Sequence, residues 1–193
     1  KGLWMIEDPA TGESTMFVDG MRSYDSAYRQ YMGNGLPKVN IGWSNTFRYR
    51  NFDLTLAFSS AVGCKIFNCQ RMFYENLNIG LNRYKSAVNP VYGGTLSASQ
   101  QPVAVSYYLE NGDYLKLDNL NLGYSIPVKS IPYVDKARVF FSGENVFCLT
   151  AYKGIDPEMS TGDRFGSGVD YRNKYPTLRT FTLGVNITFG ANK

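Results

Sequence analysis

The hydrophobic pattern of this chain has a period of two. Its clearest stretch is Thr180–Phe189, where Phe181, Leu183, Val185, Ile187 and Phe189 share one face and Thr180, Thr182, Gly184, Asn186 and Thr188 share the other. Successive side chains of a strand point to opposite faces, so the alternation predicts a strand over about 177–189 with one apolar and one polar face. A strand that crosses a bilayer needs about 9 to 11 residues, against about five or six for a typical soluble strand. This run is long enough to cross.

Four earlier segments repeat the pattern. Over 37–49, Val39, Ile41, Trp43, Phe47 and Tyr49 lie on one face and Lys38, Asn40, Gly42, Ser44, Thr46 and Arg48 on the other, with Asn45 as the polar intruder. After a tight connection at Arg50-Asn51 the chain turns back over 52–66, with Phe52, Leu54, Leu56, Phe58, Val62, Cys64 and Ile66 in phase. The two form a long hairpin. Over 113–126 the phase slips, since Leu115 and Leu117 are odd whereas Leu120, Leu122, Tyr124 and Ile126 are even. One extra residue near Asp118-Asn119, a β-bulge, reconciles the halves. The fourth, 137–150, aligns Val139, Phe141, Phe147 and Leu149 and is blurred by Phe140 and Val146.

Short and long connections alternate. Two long polar stretches, 67–108 and 152–175, separate the strands. Loops of that length argue against a compact soluble domain, whereas outer-membrane barrels carry long extracellular loops and short periplasmic turns. On that basis the last strand runs inward. Residues 1–35 hold no clean element and read as an extracellular loop or the end of a preceding strand; 36–193 read as one barrel segment. Five strands cannot close, because the smallest membrane barrels take about eight and an open sheet leaves two bare edges. The expectation is an all-β chain: the C-terminal antiparallel strands of a larger transmembrane barrel, with Phe181, Leu183, Val185, Ile187 and Phe189 as the lipid-facing row of the closing strand and as assembly signal.

Composition agrees without deciding. Among 193 residues, Tyr 15, Phe 12 and Gly 19 favour strands, and a mean hydropathy of −0.28 suits a barrel as well as a soluble protein, because every second strand residue faces water. No apolar run reaches the length of a transmembrane helix, and KGLWMIEDPATGE holds no signal-peptide core. A net charge of +4 is spread along the chain, which counts against a nucleic-acid partner. The absence of histidine removes the common nucleophile–histidine systems and histidine–zinc sites. Cys64, Cys69 and Cys148 fit no zinc spacing. No catalytic residue, metal or cofactor is expected.

Two groups of polar residues still invite a functional reading. Asp156-Pro157-Glu158, with Asp163 and Asp170, offers carboxylates, but glycosidases need two at a fixed separation and calcium loops need a spacing that is missing here; the motif is read as a structural loop. Tyr74, Tyr84, Tyr92, Tyr107, Tyr108, Tyr152, Tyr171 and Tyr175 lie in or beside the long stretches. Aromatic faces pack on sugars and peptides alike, so Tyr74, Tyr84, Tyr92, Tyr152 and Tyr171 are candidates for contact with substrate or partner. Lys38, Arg48, Lys65, Lys116 and Arg138 are expected to face a watery interior, since a midplane Lys or Arg in lipid costs about 2–4 kcal/mol. The competing reading is a soluble all-β carbohydrate-binding module whose apolar faces point into a core.

Several segments, in order, resemble a known family: Gly35-Leu36-Pro37-Lys38 through Ser44-Asn45-Thr46, Tyr49-Arg50-Asn51-Phe52-Asp53-Leu54, Asn111-Gly112-Asp113-Tyr114-Leu115-Lys116-Leu117-Asp118-Asn119-Leu120 with Leu122-Gly123-Tyr124-Ser125-Ile126-Pro127, Gly143-Glu144-Asn145-Val146-Phe147, Tyr152-Lys153-Gly154-Ile155-Asp156-Pro157-Glu158, and Pro176 through Phe189. They resemble the C-terminal region of SusC/RagA-type TonB-dependent outer-membrane transporters of Bacteroidetes-like bacteria. The resemblance implies a barrel of about 22 strands with a plug in its lumen, import of oligosaccharides or peptides, and a SusD-like surface lipoprotein over the mouth. It also implies that the plug and the TonB-engaging segment lie before Lys1. The tail Gly190 to Lys193 departs from a chain that ends on its last aromatic residue.

Overall fold

The computed structural model describes residues 5–8, 10–16, 30–78, 80, 82–89, 102–129, 131–158, 167–172 and 174–190. The chain divides into two units, one of Pro37–Val62, Asp113–Ala151 and Tyr175–Lys193, the other of Lys1–Leu36, Gly63–Gly112 and Tyr152–Lys174. In chain order the elements are β1 (Met5–Glu7), β2 (Ser14–Met16), β3 (Val39–Tyr49), β4 (Phe52–Val62), β5 (Lys65–Asn68), α1 (Cys69–Tyr74), β6 (Leu109–Asn111), β7 (Tyr114–Ile126), β8 (Val134–Thr150), β9 (Val169–Asp170) and β10 (Thr180–Phe189). No helix among the described residues is long and apolar enough to cross a membrane, which says nothing of crossing by strands.

The first unit is a five-stranded antiparallel sheet in the order β10-β8-β7-β4-β3. Period-two alternation becomes geometry here. Tyr49, Phe52, Tyr124, Val139 and Val185 stand in one cross-strand row, and Phe47, Leu54, Leu122, Phe141 and Leu183 in the next but one. Ring contacts run along this face, with centroids 5.4 Å apart for Trp43 and Phe58, 4.6 Å for Phe52 and Tyr124, and 5.9 Å for Phe141 stacked on Phe181. Cross-strand aromatic pairs of this kind stabilise a sheet by a few tenths to about 1 kcal/mol each. They also fix its register.

The phase slip in β7 has the expected cause. Phe58 faces Leu117 and Ala57 faces Asn119, so Asp118 is the extra residue. On the other side Leu117 faces Phe147 and Asn119 faces Glu144. β8 therefore sets two residues, Asn145 and Val146, against the single Asp118, one more than β7 supplies, with Asn145 at φ +52°, and this accounts for the out-of-phase Val146. The tight turn uses Arg50 at φ +53° and is tied to β7 by Asn51, whose side-chain amide donates to the Ser125 carbonyl at 2.9 Å and whose carbonyl accepts from the Ser125 amide at 2.8 Å.

The reverse face is polar. Thr46, Thr55, Asn121, Ser142 and Thr182 form one row, and the Thr46 and Thr55 hydroxyls are 3.0 Å apart. Arg138 reaches across β7 to Asp53, donating from Nε at 3.2 Å and from Nη2 at 2.5 Å, and from Nη2 to Asn121 Oδ1 at 3.2 Å. Its path runs over Gly123, where an added Cβ would lie 2.1 Å from Nη2. A glycine is what the sequence must supply for this bidentate pair to form.

Three departures from the sequence pattern concern what leaves the sheet. The alternation of 52–66 continues smoothly, yet β4 ends at Val62 because Gly63 takes φ +82°, a conformation open mainly to glycine. Lys65–Asn68 then joins a separate three-stranded sheet, antiparallel to β6 and parallel to β9. Lys65 is therefore not on the polar face of the large sheet. The stretches 67–108 and 152–175 also carry structure of their own, namely α1, β9 and short 3-10 turns at Lys85–Val88 and Ser106–Tyr108. β1 and β2 pair antiparallel in a two-stranded sheet.

Burial separates the units. Most of the buried apolar residues, Cys64, Ile66, Ala87, Val103, Tyr108 and Tyr152, belong to the loop-bearing unit, whereas the large sheet contributes Ala61 and Leu117. Val103 and Tyr108 form the centre of that small core, with Phe67, Met72, Val105 and Tyr107 packed on it. Among the described residues the aromatic rows of the sheet form no core of their own.

Candidate functional site: an exposed apolar face and a loop-borne tyrosine cluster

The first candidate site is the apolar face. Trp43, Phe47, Phe52, Leu122, Phe141, Phe181, Leu183, Val185, Ile187 and Phe189 are all exposed, Leu183 by 76% and Phe189 by 73%. Water is a poor surround for such a surface, since each Å² of apolar area removed from it gains about 25 cal/mol, and contiguous patches of this kind mark contact with lipid or protein. β10 pairs with β8 on one side and with no other strand among the described residues, and β3 likewise pairs only with β4. Both edges are left open.

The second candidate lies in the loop-bearing unit and is built on α1. Asn68 caps the helix, its Oδ1 accepting from the Arg71 amide at 2.9 Å. Arg71 is buried and fully engaged. It forks onto Glu75 at 3.0 and 2.9 Å, donates to Glu110 and, at 3.3 Å, to the Tyr107 hydroxyl, and lies over the rings of Tyr107 and Tyr108. Burial works against its charge, but Glu75 and Glu110 outweigh that and hold the guanidinium pKa above its ordinary value. The carboxylates are satisfied in turn, Glu75 by the Ser86 hydroxyl at 2.6 Å and Glu110 by the Lys153 amide at 2.7 Å. The sequence held one sign of this network, the i,i+4 spacing of Arg71 and Glu75.

The predicted tyrosines separate into exposed and buried. Tyr74 sits on α1 with its ring centroid 5.8 Å from that of Tyr84, and Tyr84, 40% exposed, donates its hydroxyl to Gln70 Oε1 at 3.2 Å. Tyr171 and Tyr175 are exposed. Tyr152 is turned inward at 6% exposure, its hydroxyl donating to Asp170 Oδ2 at 2.5 Å; burial first, and this bond with it, pushes the phenol pKa well above its ordinary value. Tyr92 lies outside the described residues.

The carboxylate loop is held by its own contacts. The Glu158 amide donates to Asp156 Oδ1 at 2.9 Å, and Lys174 donates to the carbonyls of Glu158 at 2.5 Å and Asp156 at 3.3 Å. No cluster of three His, Cys, Asp or Glu side chains is arranged to hold a metal among the described residues. Burial raises the Cys69 thiol pKa, which disfavours the nucleophilic thiolate.

Asp170 is fully buried, and its Oδ1 has no hydrogen-bond partner among the described residues. Burial raises its pKa above 3.8, opposed by the Tyr152 bond and by Lys174 and reinforced by Asp156 and Glu110. As pH rises from 3.8 towards the folded-state value, the unfolded carboxyl loses its proton first, so Asp170's own contribution to stability falls across that window and then levels off. Asp170→Asn keeps an acceptor for Tyr152 and should flatten this slope. Hydrogen exchange of the β5–β9 amides as a function of pH measures it.

Long antiparallel strands, tight turns at one end of the sheet, long excursions at the other and opposite polarity on the two faces are the form of a wall segment of a β-barrel. Comparison with known proteins specifies the type. The chain is 31% identical over 199 residues to TonB-dependent receptor P3 of Formosa agariphila, a match covering 94% of this chain and 19% of the relative. It is 28% identical over 188 residues to TonB-dependent receptor SusC of Bacteroides thetaiotaomicron, covering 90% and 17%. Among solved structures, the RagAB peptide importer superposes with a TM-score of 0.73 in its open-open state and 0.69 in its closed-closed state, at 26% identity, over 97% and 92% of this chain and 20% of the matched chain. No family model matches the chain.

In sequence and fold, then, the chain resembles SusC/RagA-type TonB-dependent receptors over nearly all of its length. It spans about one fifth of the length of the curated relatives it matches.

Proposed function

We propose that the chain is part of the wall of an outer-membrane importer. In this reading the large sheet is five strands of a barrel of about 22, its apolar rows face lipid, and its polar face, with Arg138, Asp53 and Asn121, faces the plug and water. β10 is the closing strand, and its free edge bonds to a strand outside these 193 residues. The long excursions are extracellular, and a SusD-like surface lipoprotein closes over them. Import is driven through TonB by a region outside this chain, and the cargo is an oligosaccharide or a peptide. The exposed tyrosines Tyr84 and Tyr171, the half-buried Tyr74, and Tyr92 with them, meet the cargo or the lid, whereas Tyr152 braces that surface from within.

The observation that carries this reading is the open apolar face. In a soluble carbohydrate-binding module the rows of Trp43, Phe141 and Leu183 would be covered by a second layer, and here they are exposed. The test is genetic and biochemical. Deleting the complete receptor, or removing TonB, should abolish uptake of its cargo, and a surface lipoprotein should co-purify with the receptor in detergent. Recovery of the receptor from the soluble fraction, or uptake indifferent to TonB, would reject the reading.

A further inference from the structure

The tight turn between β3 and β4 keeps an arginine where glycine would fit more easily. Arg50 takes φ +53°, left-handed backbone that strains a residue with a Cβ and costs glycine nothing sterically, and two-residue hairpin turns favour Gly, Asn or Asp for that reason. Its guanidinium carbon lies over the Tyr49 ring, 5.3 Å from the centroid. Arg50 is exposed and makes no ion pair among the described residues. Asp53, three residues on, belongs to the opposite face and is taken by Arg138.

The length of β3 fixes where this cation falls. Its 11 residues, Val39–Tyr49, rise about 3.3 Å each and so reach about 33 Å. Tilted by about 40°, as barrel strands are, they span about 25 Å of depth, the height of the apolar band of an outer-membrane barrel. Val39 and Tyr49 then mark the two boundaries of that band, and Arg50 comes one residue past the second, where headgroup phosphates replace hydrocarbon. Tyr49, Phe52 and Tyr124 form the aromatic row nearest the turn. Tyr49 is 70% exposed, and Phe52 and Tyr124 are exposed beside it.

We propose that Arg50, backed by Tyr49, binds the phosphate of a membrane phospholipid whose acyl chains lie along Phe52 and Tyr124. A phosphodiester offers two free oxygens that the planar guanidinium fork engages together, and the Tyr49 ring covers one side of that fork while its edge donors stay free. A free phosphate would use the cation and leave the aromatic row uncovered. A phospholipid satisfies both, its charge on Arg50 and its hydrocarbon on the rings. The proposal rests on the reading of the sheet as barrel wall, under which this turn lies in the periplasmic leaflet.

Native mass spectrometry of the complete receptor, released from detergent, tests it. The probe is dioleoyl phosphatidylglycerol, set beside dioleoylglycerol, which lacks the phosphate, and glycerol 3-phosphate, which lacks the chains. Arg50→Gly should fold normally, since glycine suits φ +53°, and yet hold one phosphatidylglycerol fewer, its affinity at that site falling on the order of tenfold. Arg50→Lys should recover part of the loss, and Lys129→Gln, in the neighbouring connection, should change nothing. Unchanged retention in Arg50→Gly, or dioleoylglycerol held as tightly as phosphatidylglycerol, would overturn the proposal. Glycerol 3-phosphate competing as well as the lipid would replace it with a free-anion site. A receptor recovered from the soluble fraction fails the import reading; one that spans bilayers and keeps all its lipid in Arg50→Gly fails the lipid site alone.

Discussion

Replacing Arg71 by methionine should destabilise the loop-bearing unit by about 3–5 kcal/mol, the usual cost of stranding a buried charge. Arg71 is 6% exposed and is the cation that both Glu75 and Glu110 face. Its loss leaves two carboxylates in a poorly solvated site. Arg71→Lys should recover only part of the loss, because a point charge cannot fork onto Glu75 while reaching Glu110 and Tyr107. Adding Glu75→Gln and Glu110→Gln to the methionine variant should recover much of the stability, since the uncompensated charges are then gone. Native-state hydrogen exchange on the assembled receptor reads this directly. Amides of β5, α1 and β6 should exchange faster, and those of β3, β4, β7 and β8 should not change.

The second large effect belongs to the sheet. Phe141→Arg places a guanidinium on the apolar face, where lipid makes it costly by about 2–4 kcal/mol near the midplane and less towards either interface. Ser142→Arg, one residue on, faces the polar row of Thr46, Thr55, Asn121 and Thr182 and should cost little. Urea titration of the complete receptor folded into bilayers compares the two. An equal penalty would mean that both faces meet the same surroundings.

What the sequence disclosed, and what it hid, follows from the range of the interactions. The strands were legible because a period of two is a local property. The bulge at Asp118 was legible because one extra residue shifts every later side chain to the other face. The end of β4 was hidden, as Cys64 and Ile66 keep the phase while a single dihedral at Gly63 breaks the strand. α1 was hidden because six residues are too few to show a helical period. Arg71's partners Glu110 and Tyr107 lie 39 and 36 positions away, and nothing in a lone sequence links them. Tyr152 was grouped with the exposed tyrosines for the same reason: what turns it inward is Asp170, 18 positions on.

The central claim is that the apolar face of this sheet meets lipid. Nitroxide labels placed one at a time at each position from Thr180 to Phe189, in the complete receptor reconstituted in bilayers with Cys64, Cys69 and Cys148 replaced by serine, test it most directly. Oxygen concentrates in the bilayer and a charged nickel chelate stays in water, so their relative collision rates report which medium each label sees. The account predicts an oscillation of period two, with oxygen favoured at 181, 183, 185, 187 and 189 and the chelate favoured at the positions between. Chelate access on the apolar row equal to or above that on the polar row would contradict it.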